Sequence, residues 1–347
     1  MNNIKIEQEI FNNIKEAKQN MIISENENLK NEEKISIENA ITGEKLEAKI
    51  TSKNTFSSLE DAFKVFPAKL LGNMKLYQKS MGKVVIYRIK ANANSNINNL
   101  IQDNEIYKIL DINSLDEINL GRSISKVFKA KMKSQNKDVI LKIQYLPSRT
   151  SIKDESDRLI WLQDKINSPK VYYWSEKNEY KYLIMEYKNG LPAFKYDNIG
   201  YRLGKELKRI HSINIEKCKF KNNLPEKLLH NCLEKIEAIF PEIQKKYKSD
   251  TLKDIVKFLN ENIPKDRVFT HGDYSLPNIL IDNETYNFID LGDANISTKY
   301  FDFYYFFRSL KINKKEYMFD DFLKGYGIKA INYNYLKWMD IIDKSLY

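Results

Sequence analysis

Cysteine, histidine and long apolar runs are all scarce in this chain of 347 residues. Its two cysteines, Cys218 and Cys232, make no disulfide framework and lack the spacing of metal ligands. No apolar run approaches the roughly 18 residues of a transmembrane helix, which argues against a membrane-spanning protein. Charged residues interrupt the first 20 positions, so no secretory signal is expected there. The sequence therefore predicts a cytoplasmic protein with no membrane partner.

The net charge of the chain is +10, from 57 lysines and arginines against 47 acidic residues. Such an excess can indicate binding to nucleic acid. Here, however, basic residues are interleaved with acids, and no recognition helix, zinc finger or aromatic nucleic-acid motif is found. The aromatic run at 300–307 predicts a buried helix rather than a base-stacking surface. We therefore expect no nucleic-acid partner.

Two short stretches carry the chemistry. Residues 270–278 read Thr-His-Gly-Asp-Tyr-Ser-Leu-Pro-Asn, and residues 288–292 read Phe-Ile-Asp-Leu-Gly. In kinase-type phosphoryl transfer, a loop Asp accepts the proton of the attacking hydroxyl, an Asn five residues later holds Mg²⁺, and an Asp on the next hairpin holds the metal at the phosphates. Asp273, Asn278 and Asp290 have these types and this spacing. An ordinary hairpin with Asx turns is the alternative, but the joint occurrence of the motifs favours phosphoryl transfer.

A lysine within an apolar run supplies a second half to this site. Lys142 lies in the predicted strand 138–143, where its charge requires an anionic partner. Nucleotide phosphates are one candidate, and Glu155, on a predicted helix thirteen residues later, is the other. Taken singly, Lys142 could be a snorkelling edge residue and Glu155 a solvated charge. Together with Asp273 and Asp290, they are typical of the lysine and glutamate pair of kinases.

A turn over the phosphates is expected at 121–128, Gly-Arg-Ser-Ile-Ser-Lys-Val-Phe. One glycine and two serines can offer amides and hydroxyls to phosphate oxygens, although the segment is no glycine-rich fingerprint. A plain hairpin turn explains it nearly as well, so both interpretations stay open.

From about Glu105 to Tyr347, the chain resembles an aminoglycoside 3′-phosphotransferase, within the wider family that includes choline kinases. The order and spacing of ten motifs agree with that family: Gly121-Arg-Ser-Ile-Ser-Lys-Val-Phe, Ile140-Leu-Lys142, Glu155 six residues before Trp161-Leu162, Pro169-Lys-Val, Leu183-Ile-Met-Glu-Tyr, Ile210-His-Ser-Ile, Thr270-His-Gly-Asp-Tyr-Ser-Leu-Pro-Asn, Phe288-Ile-Asp-Leu-Gly, Tyr300-Phe-Asp302 and Phe307-Arg308-Ser. The resemblance implies a two-lobed α+β fold of the protein-kinase type. It also implies ATP or GTP as donor, Mg²⁺, and a small-molecule hydroxyl as acceptor.

The resemblance also implies roles for the residues of the two loops. Asp273 would be the catalytic base, and Asn278 and Asp290 would be the metal ligands. His271 would support the loop backbone and take no proton, while His211 is expected to be a packed histidine at a helix end.

The nucleotide would be held by residues of the strand-rich lobe. Lys142 would bind its phosphates and Glu155 would orient Lys142. Ser123 would cover the β-phosphate. The backbone of Glu186 and Lys188 would meet the purine edge between the lobes.

Two positions depart from the family pattern. Similar enzymes carry a basic residue in a Gly-Arg pair shortly after the metal Asp, whereas Gly292 is followed here by Asp293. They also carry an acid just before a terminal aromatic residue, where this chain has Lys344. Residues 195–261, where acceptor-binding helices are expected, hold fifteen basic against ten acidic residues, which argues mildly against a polycationic acceptor. Glu226, Glu234, Glu237 and Asp343 could still form a local acidic cluster.

The sequence predicts three units, namely an N-terminal extension (1–105), a nucleotide-binding lobe (106–187) and a helical lobe (188–347). In the extension, a hairpin is expected at 34–41 and 45–50, a helix from Ser57, and a strand at 83–89. It could be a small α+β domain or a segment packed on the nucleotide lobe, joined by an Asn-rich linker at 92–104. In the helical lobe, helices are expected near 197–213, 224–238, 242–262, 299–311 and 333–345. Every residue with assigned chemistry follows the linker, so residues 106–347 are expected to hold the catalytic unit.

Three classes of function fit these observations. The first is a small-molecule O-phosphotransferase of the aminoglycoside type, which would confer antibiotic resistance. The second is a kinase of the same fold that acts on an amino alcohol, a sugar, another antibiotic or a protein. The third is a nucleotide-binding module without transfer activity, a class that Asp293 keeps open.

Overall fold

The computed structural model describes residues 2–15, 21–24, 28–65, 83–91, 100–118, 125–144, 151–178, 180–248 and 251–346. Within these ranges, no helix is both long enough and apolar enough to cross a bilayer. The described chain forms an N-terminal sheet, a second sheet with two helices, and a helical part that carries short hairpins.

The N-terminal sheet has five strands in the order β1-β3-β4-β5-β2. In chain order its elements are β1 (Asn2–Ile6), α1 (Gln8–Lys15), β2 (Met21–Ser24), β3 (Lys34–Asn39), β4 (Lys45–Phe56), α2 (Leu59–Val65) and β5 (Val84–Ala91). The expected hairpin is confirmed, since β3 and β4 pair antiparallel with Lys34 opposite Lys49. The expected helix after Ser57 and the strand at 83–89 are confirmed as α2 and β5.

The two faces of this sheet are buried against different partners. On β5, Val85 and Tyr87 join a core with Ile10, Phe11 and other residues near α1, whereas Val84 belongs to the large core that extends into the helical part. Successive side chains of a strand point to opposite faces, which explains this alternation. The second face packs on a long helix of the helical part, Pro225–Tyr247.

The second sheet is antiparallel, in the order β6-β7-β8-β10-β9. Its elements are α3 (Asn104–Ile109), β6 (Leu110–Glu117), β7 (Lys126–Met132), β8 (Lys137–Gln144), α4 (Ile152–Leu162), β9 (Val171–Lys177) and β10 (Tyr180–Glu186). Leu100 and Ile101 are each only 3% exposed and belong to the core of this sheet. The buried carboxylate of Asp103 accepts hydrogen bonds from Tyr173 (2.7 Å) and Ser175 (2.5 Å) on β9. Leu100, Ile101 and Asp103, which lie just before α3, therefore belong structurally to the second sheet.

The helical part combines helices with short strands. Its elements are β11 (Leu191–Pro192), α5 (Gly200–His211), α6 (Pro225–Tyr247), α7 (Leu252–Glu261), β12 (Val268–Thr270), β13 (Ile279–Asp282), β14 (Thr285–Phe288), β15 (Asn295–Ser297), α8 (Lys299–Ile312), α9 (Phe319–Tyr326) and α10 (Tyr333–Leu346). The aromatic run at 300–307 lies on α8, and its Phe301, Phe303 and Phe306 are fully buried. Its interpretation as core is confirmed.

The division expected between helices near 238–242 is wrong. Helix α6 continues through Pro241 to Tyr247, and α7 begins only at Leu252. Pro241 and Glu237 are both exposed, so water can satisfy the Glu237 carbonyl that the proline cannot bond. The helix ends instead at Lys248, which has a left-handed backbone (φ 57°). The Thr251 and Asp254 capping box then starts α7.

Candidate active site

A buried carboxylate anchors residues 270–278, the candidate catalytic loop, which is called the catalytic loop below. Asp302, on α8, is fully buried and accepts the backbone N–H of His271 (2.7 Å) and of Gly272 (2.9 Å). His211 Nε2 lies 3.0 Å from the same carboxylate and its Nδ1 lies 2.8 Å from the Tyr326 hydroxyl. His211 is thus packed at a helix end as expected, but it belongs to the support of the loop. The signal available in the sequence is an acid inside an aromatic run, and the motifs by themselves do not predict its role as an anchor.

Gly272 allows the catalytic loop to touch residues 288–293, which contain the candidate metal ligand Asp290 and are called the metal loop below. Its φ is +89°, and a Cβ atom at this position would lie 2.3 Å from the backbone of Asp293. A side chain would therefore be both strained and obstructed. The turn at Leu291–Asp293 consequently lies directly against the residue that precedes Asp273.

Asp273 is partly buried beside Asn278. The Asn278 side-chain amide donates to Asp273 Oδ2 at 2.8 Å and to its carbonyl at 3.2 Å. Burial, and then the negative charge of Asp290, raise the pKa of Asp273 to about 7. A carboxylate with a pKa near neutrality is suited to accept a proton from a hydroxyl group.

The β13 and β14 hairpin brings Asn278 and Asp290 together. Ile279 pairs with Phe288, and the N–H of Ile289 donates to the Asn278 carbonyl at 3.0 Å. Asp290 has a left-handed backbone (φ 60°) and its side chain is 56% exposed. Because the Asn278 amide nitrogen faces Asp273, its oxygen is the atom suited to a cation. An amide oxygen and a carboxylate are hard ligands of the kind that Mg²⁺ prefers, so these residues fit that ion.

Lys142 links the two halves of the site. Its Nζ lies 2.7 and 2.9 Å from the carboxylate oxygens of Glu155, on α4, and 3.2 Å from Asp290 Oδ1. Burial would lower the pKa of Lys142, but the carboxylates of Glu155 and Asp290 outweigh burial and raise it. Lys142 in turn holds the pKa of Asp290 low. The structure therefore sets one ammonium group, fully charged, between α4 and the metal loop.

Glu186 and Lys188 lie where β10 leaves the sheet, and their side chains form an ion pair (2.9 Å). The N–H of Glu186 donates to the Lys170 carbonyl at 2.8 Å. Of the Glu186 backbone, the carbonyl is therefore the group suited to meet a purine. The prediction for Ser123 lies outside the described residues.

Comparisons with known proteins place this geometry in context. A model described as the phosphotransferase enzyme family matches residues 117–339. An aminoglycoside 3′-phosphotransferase of Niallia circulans is 27% identical over 252 residues, which are 69% of this chain and 95% of that protein. The corresponding protein of Enterococcus faecalis is 27% identical over 246 residues, covering 65% of this chain and 90% of its own length.

Solved structures show the same fold. An aminoglycoside-3′-phosphotransferase of type VIII aligns with a TM-score of 0.53 and 19% identity, over 67% of this chain and 94% of that one. The aminoglycoside phosphotransferase APH(3″)-Id of Streptomyces rimosus, in complex with ADP and streptomycin, aligns with a TM-score of 0.51 and 18% identity, over 67% and 93% of the two chains. The two-lobed kinase-like α+β fold is thereby confirmed, with an additional N-terminal region before the matched residues.

Proposed function

The chain belongs to the phosphotransferase enzyme family, and on this premise we propose that it transfers the terminal phosphate of ATP or GTP to the hydroxyl of a small molecule. The observation that carries the proposal is the position of Lys142 Nζ, within 3.2 Å of both Glu155 and Asp290. Two carboxylates around one partly buried lysine hold its charge where phosphate oxygens need it. A solvated surface lysine would have no such constraint.

Each residue then has a distinct task. Asp273 accepts the proton of the acceptor hydroxyl, and Asn278 fixes its carboxylate through the 2.8 Å hydrogen bond. Lys142 binds phosphate oxygens, and Glu155 keeps the ammonium group in place. Asn278 and Asp290 would hold Mg²⁺, which would neutralise charge on the phosphates when bound. The carbonyl of Glu186 and the backbone of Lys188 would position the purine, and Ser123 would cover the phosphates.

For the acceptor, we propose an aminoglycoside first, because the curated relatives named above bear that description. One observation favours the second class, a different acceptor. Asp343 is only 7% exposed and is bound by Tyr305 (2.6 Å) and Arg308 (3.1 Å). Its charge is therefore already compensated within the protein.

The other acids considered for a cationic pocket lie along α6. Glu226 is paired with Arg267, and Glu234 lies 3.5 Å from His230. Glu226 and Glu237 are eleven residues apart on this helix, about 16 Å at 1.5 Å per residue. These acids do not gather at one point, which weakens the case for a polycationic acceptor.

Steady-state turnover of ATP and of GTP against an acceptor panel tests the proposal. A matched pair, an aminoglycoside with a 3′-hydroxyl and its 3′-deoxy analogue, separates true transfer to that hydroxyl from background hydrolysis. An amino alcohol and a simple sugar represent the second class. Turnover that depends on an acceptor and disappears in Asp273→Asn supports the proposal. Nucleotide binding without transfer to any acceptor would instead favour a non-catalytic module.

A further inference from the structure

Arg158 is a buried arginine on α4, one helical turn after Glu155. It is only 4% exposed, and arginine is rarely buried without partners. Its Nε donates to the carbonyl oxygen of Ala294 at 2.5 Å, and its guanidinium group lies 5.0 Å above the ring of Phe220. Its buried Nη1 has no hydrogen-bond partner among the residues that the structure describes. The side chain thus reaches from α4 to the chain just after the metal loop.

Four acids contribute to the field at this guanidinium group. Asp154, Glu155 and Asp157 lie on its own helix, and Asp293 lies on the metal loop. Asp293 occupies the position where the family pattern has a basic residue. The guanidinium group of Arg158 on α4 therefore lies close to position 293, where the family pattern has a basic residue and this chain has an acid.

The same turn contacts the catalytic loop. Asp293 packs on Gly272, as described above, and its carbonyl accepts from Asn223 at 3.4 Å. The N–H of Ile296 donates at 2.9 Å to the carbonyl of Phe220, the residue whose ring lies next to the guanidinium group of Arg158. A displacement of the 293–296 segment would therefore be felt at both loops.

We propose that Arg158 is a positioning residue, which supplies from α4 the positive charge that the family pattern places after the metal Asp and holds the Asp293–Ala294 turn so that Asp290 faces Lys142. The inference rests on the proposed function. Because Glu155 and Arg158 lie three residues apart on one helix, the helix that orients Lys142 also fixes the turn that follows Asp290. In this chain the positive charge is therefore on α4, as Arg158, and an acid, Asp293, stands at the position after the metal Asp where the family pattern has a basic residue.

Four variants test this role: Arg158→Met, Arg158→Lys, Asp293→Asn and the double variant Arg158→Met/Asp293→Asn. Arg158→Met keeps the length of the side chain and removes its charge and Nε–H. We expect Arg158→Met to weaken calorimetric binding of Mg²⁺ with ADP by about 10–100-fold, the range seen when supporting residues of a metal site are lost. Arg158→Lys should recover part of this loss because it keeps the charge. The double variant should lose less than the sum of the single variants, because Arg158 and Asp293 contribute to one shared interaction, which either single variant already removes.

Amide hydrogen exchange without metal complements the calorimetric binding measurement. The amides of Ala294 and Ile296 are hydrogen-bonded to Leu291 and Phe220, and their hydrogen exchange should become faster in Arg158→Met without metal or nucleotide. Lys153→Met, on the same helix but partly exposed, is the matched control and should change neither quantity.

Two results would overturn the role. One is an Arg158→Met protein with unchanged Mg²⁺-nucleotide affinity and unchanged exchange, whatever its melting temperature. The other, decisive if Arg158→Met does not fold, is an Arg158→Gln protein, which loses the charge but keeps an N–H donor, with the same Mg²⁺-nucleotide affinity as the wild type. If the wild type itself binds no Mg²⁺ with ADP, the proposed function fails. Binding by the wild type with unaffected variants refutes the positioning role alone.

Discussion

At the residue scale, Asp273 and Asp290 are two carboxylates with opposite environments. Asp273 is partly buried and its pKa is raised, whereas Asp290 is exposed at its side chain and its pKa is lowered by Lys142. A raised pKa suits a proton acceptor, and a permanently ionised carboxylate suits a metal ligand. The burial of Asp273 and the ammonium group beside Asp290 therefore support the different tasks proposed for the two acids.

We expect Asp273→Ala and Asp290→Ala both to abolish transfer, for different reasons. Loss of the proton acceptor should lower turnover by about 10²-fold or more while nucleotide affinity stays near that of the wild type. Loss of the metal ligand should weaken Mg²⁺-dependent nucleotide binding by at least about tenfold. Calorimetry with Mg²⁺ and ATP on both variants separates the effects. Full turnover by Asp273→Ala would contradict the assignment.

The raised pKa of Asp273 also predicts a pH dependence of stability. Between the unfolded pKa near 3.9 and the folded value of about 7, the folded state binds more protons, so stability falls as pH rises through this window. Asp273→Asn removes the titrating group. From pH 5 to pH 8 in metal-free solution, the free energy of unfolding of the variant should therefore rise relative to that of the wild type by about 1 kcal/mol or more. Urea unfolding at both pH values checks this, and a pH-independent difference would argue against the raised pKa.

At the element scale, the catalytic loop depends on α8 and α5 as much as on its own strands. Asp302 uses Oδ1 for the N–H of Gly272, and Oδ2 for the N–H of His271 and the ring of His211. Both carboxylate oxygens therefore accept hydrogen bonds, and an asparagine NH₂ group in place of either oxygen would lose at least one of them. The loop is thus held by a side chain that is not among the proposed catalytic residues.

Asp302→Asn should therefore cost about 1–3 kcal/mol of unfolding free energy, since it leaves a buried backbone N–H without an acceptor. Turnover should fall as the loop loses its anchor, with a smaller effect on nucleotide binding. Tyr326→Phe removes only the hydroxyl next to His211 and serves as the milder control. Chemical denaturation together with kcat measures both consequences. Equal stability of Asp302→Asn and the wild type would show that the anchor is dispensable.

At the scale of the whole molecule, the N-terminal sheet packs on the helical part through an apolar interface. Met21, Phe56, Leu59 and Ala62 are buried in the core that they share with the helical part. The sequence motifs predict that residues 106–347 contain the catalytic unit and fold without the extension, unless the extension covers apolar surface of the strand-rich lobe. A chain beginning at Asp103 would lose both this cover of α6 and the buried pair Leu100 and Ile101.

We now expect a chain of residues 103–347 to be insoluble or much less stable than the full protein. A chain of residues 100–347 should be better, because it keeps the core of the second sheet, and co-expressed residues 1–99 should restore solubility. In the full chain, Ala62→Arg should destabilise the interface, whereas Glu60→Arg, exposed on the same helix, should not. Melting temperature and nucleotide affinity distinguish these cases. A stable, nucleotide-binding 103–347 chain would instead show that the catalytic unit is autonomous.

Local features were predictable because the residues that form them are close to one another in the sequence. The hairpin that joins Asn278 to Asp290, the helix start after Ser57 and the alternating strands of the N-terminal sheet all depend on a few neighbouring residues. The helix break expected near Pro241 does not occur because this side of α6 faces solvent, where water can bond the carbonyl that the proline leaves free. Only the tertiary structure shows this exposure.

The sequence by itself determined the family pattern, the identity of the candidate acids, amide and lysine, and most of the elements that carry them. Only the tertiary structure decided that Lys142 contacts Asp290, 148 residues away, that Asp302 anchors the catalytic loop, that Arg158 reaches the turn after the metal loop, and that the N-terminal sheet covers α6. Such contacts depend on sheet register and on helix packing across the whole chain. They leave no spacing in the sequence, because the residues involved are neighbours only after the core has formed.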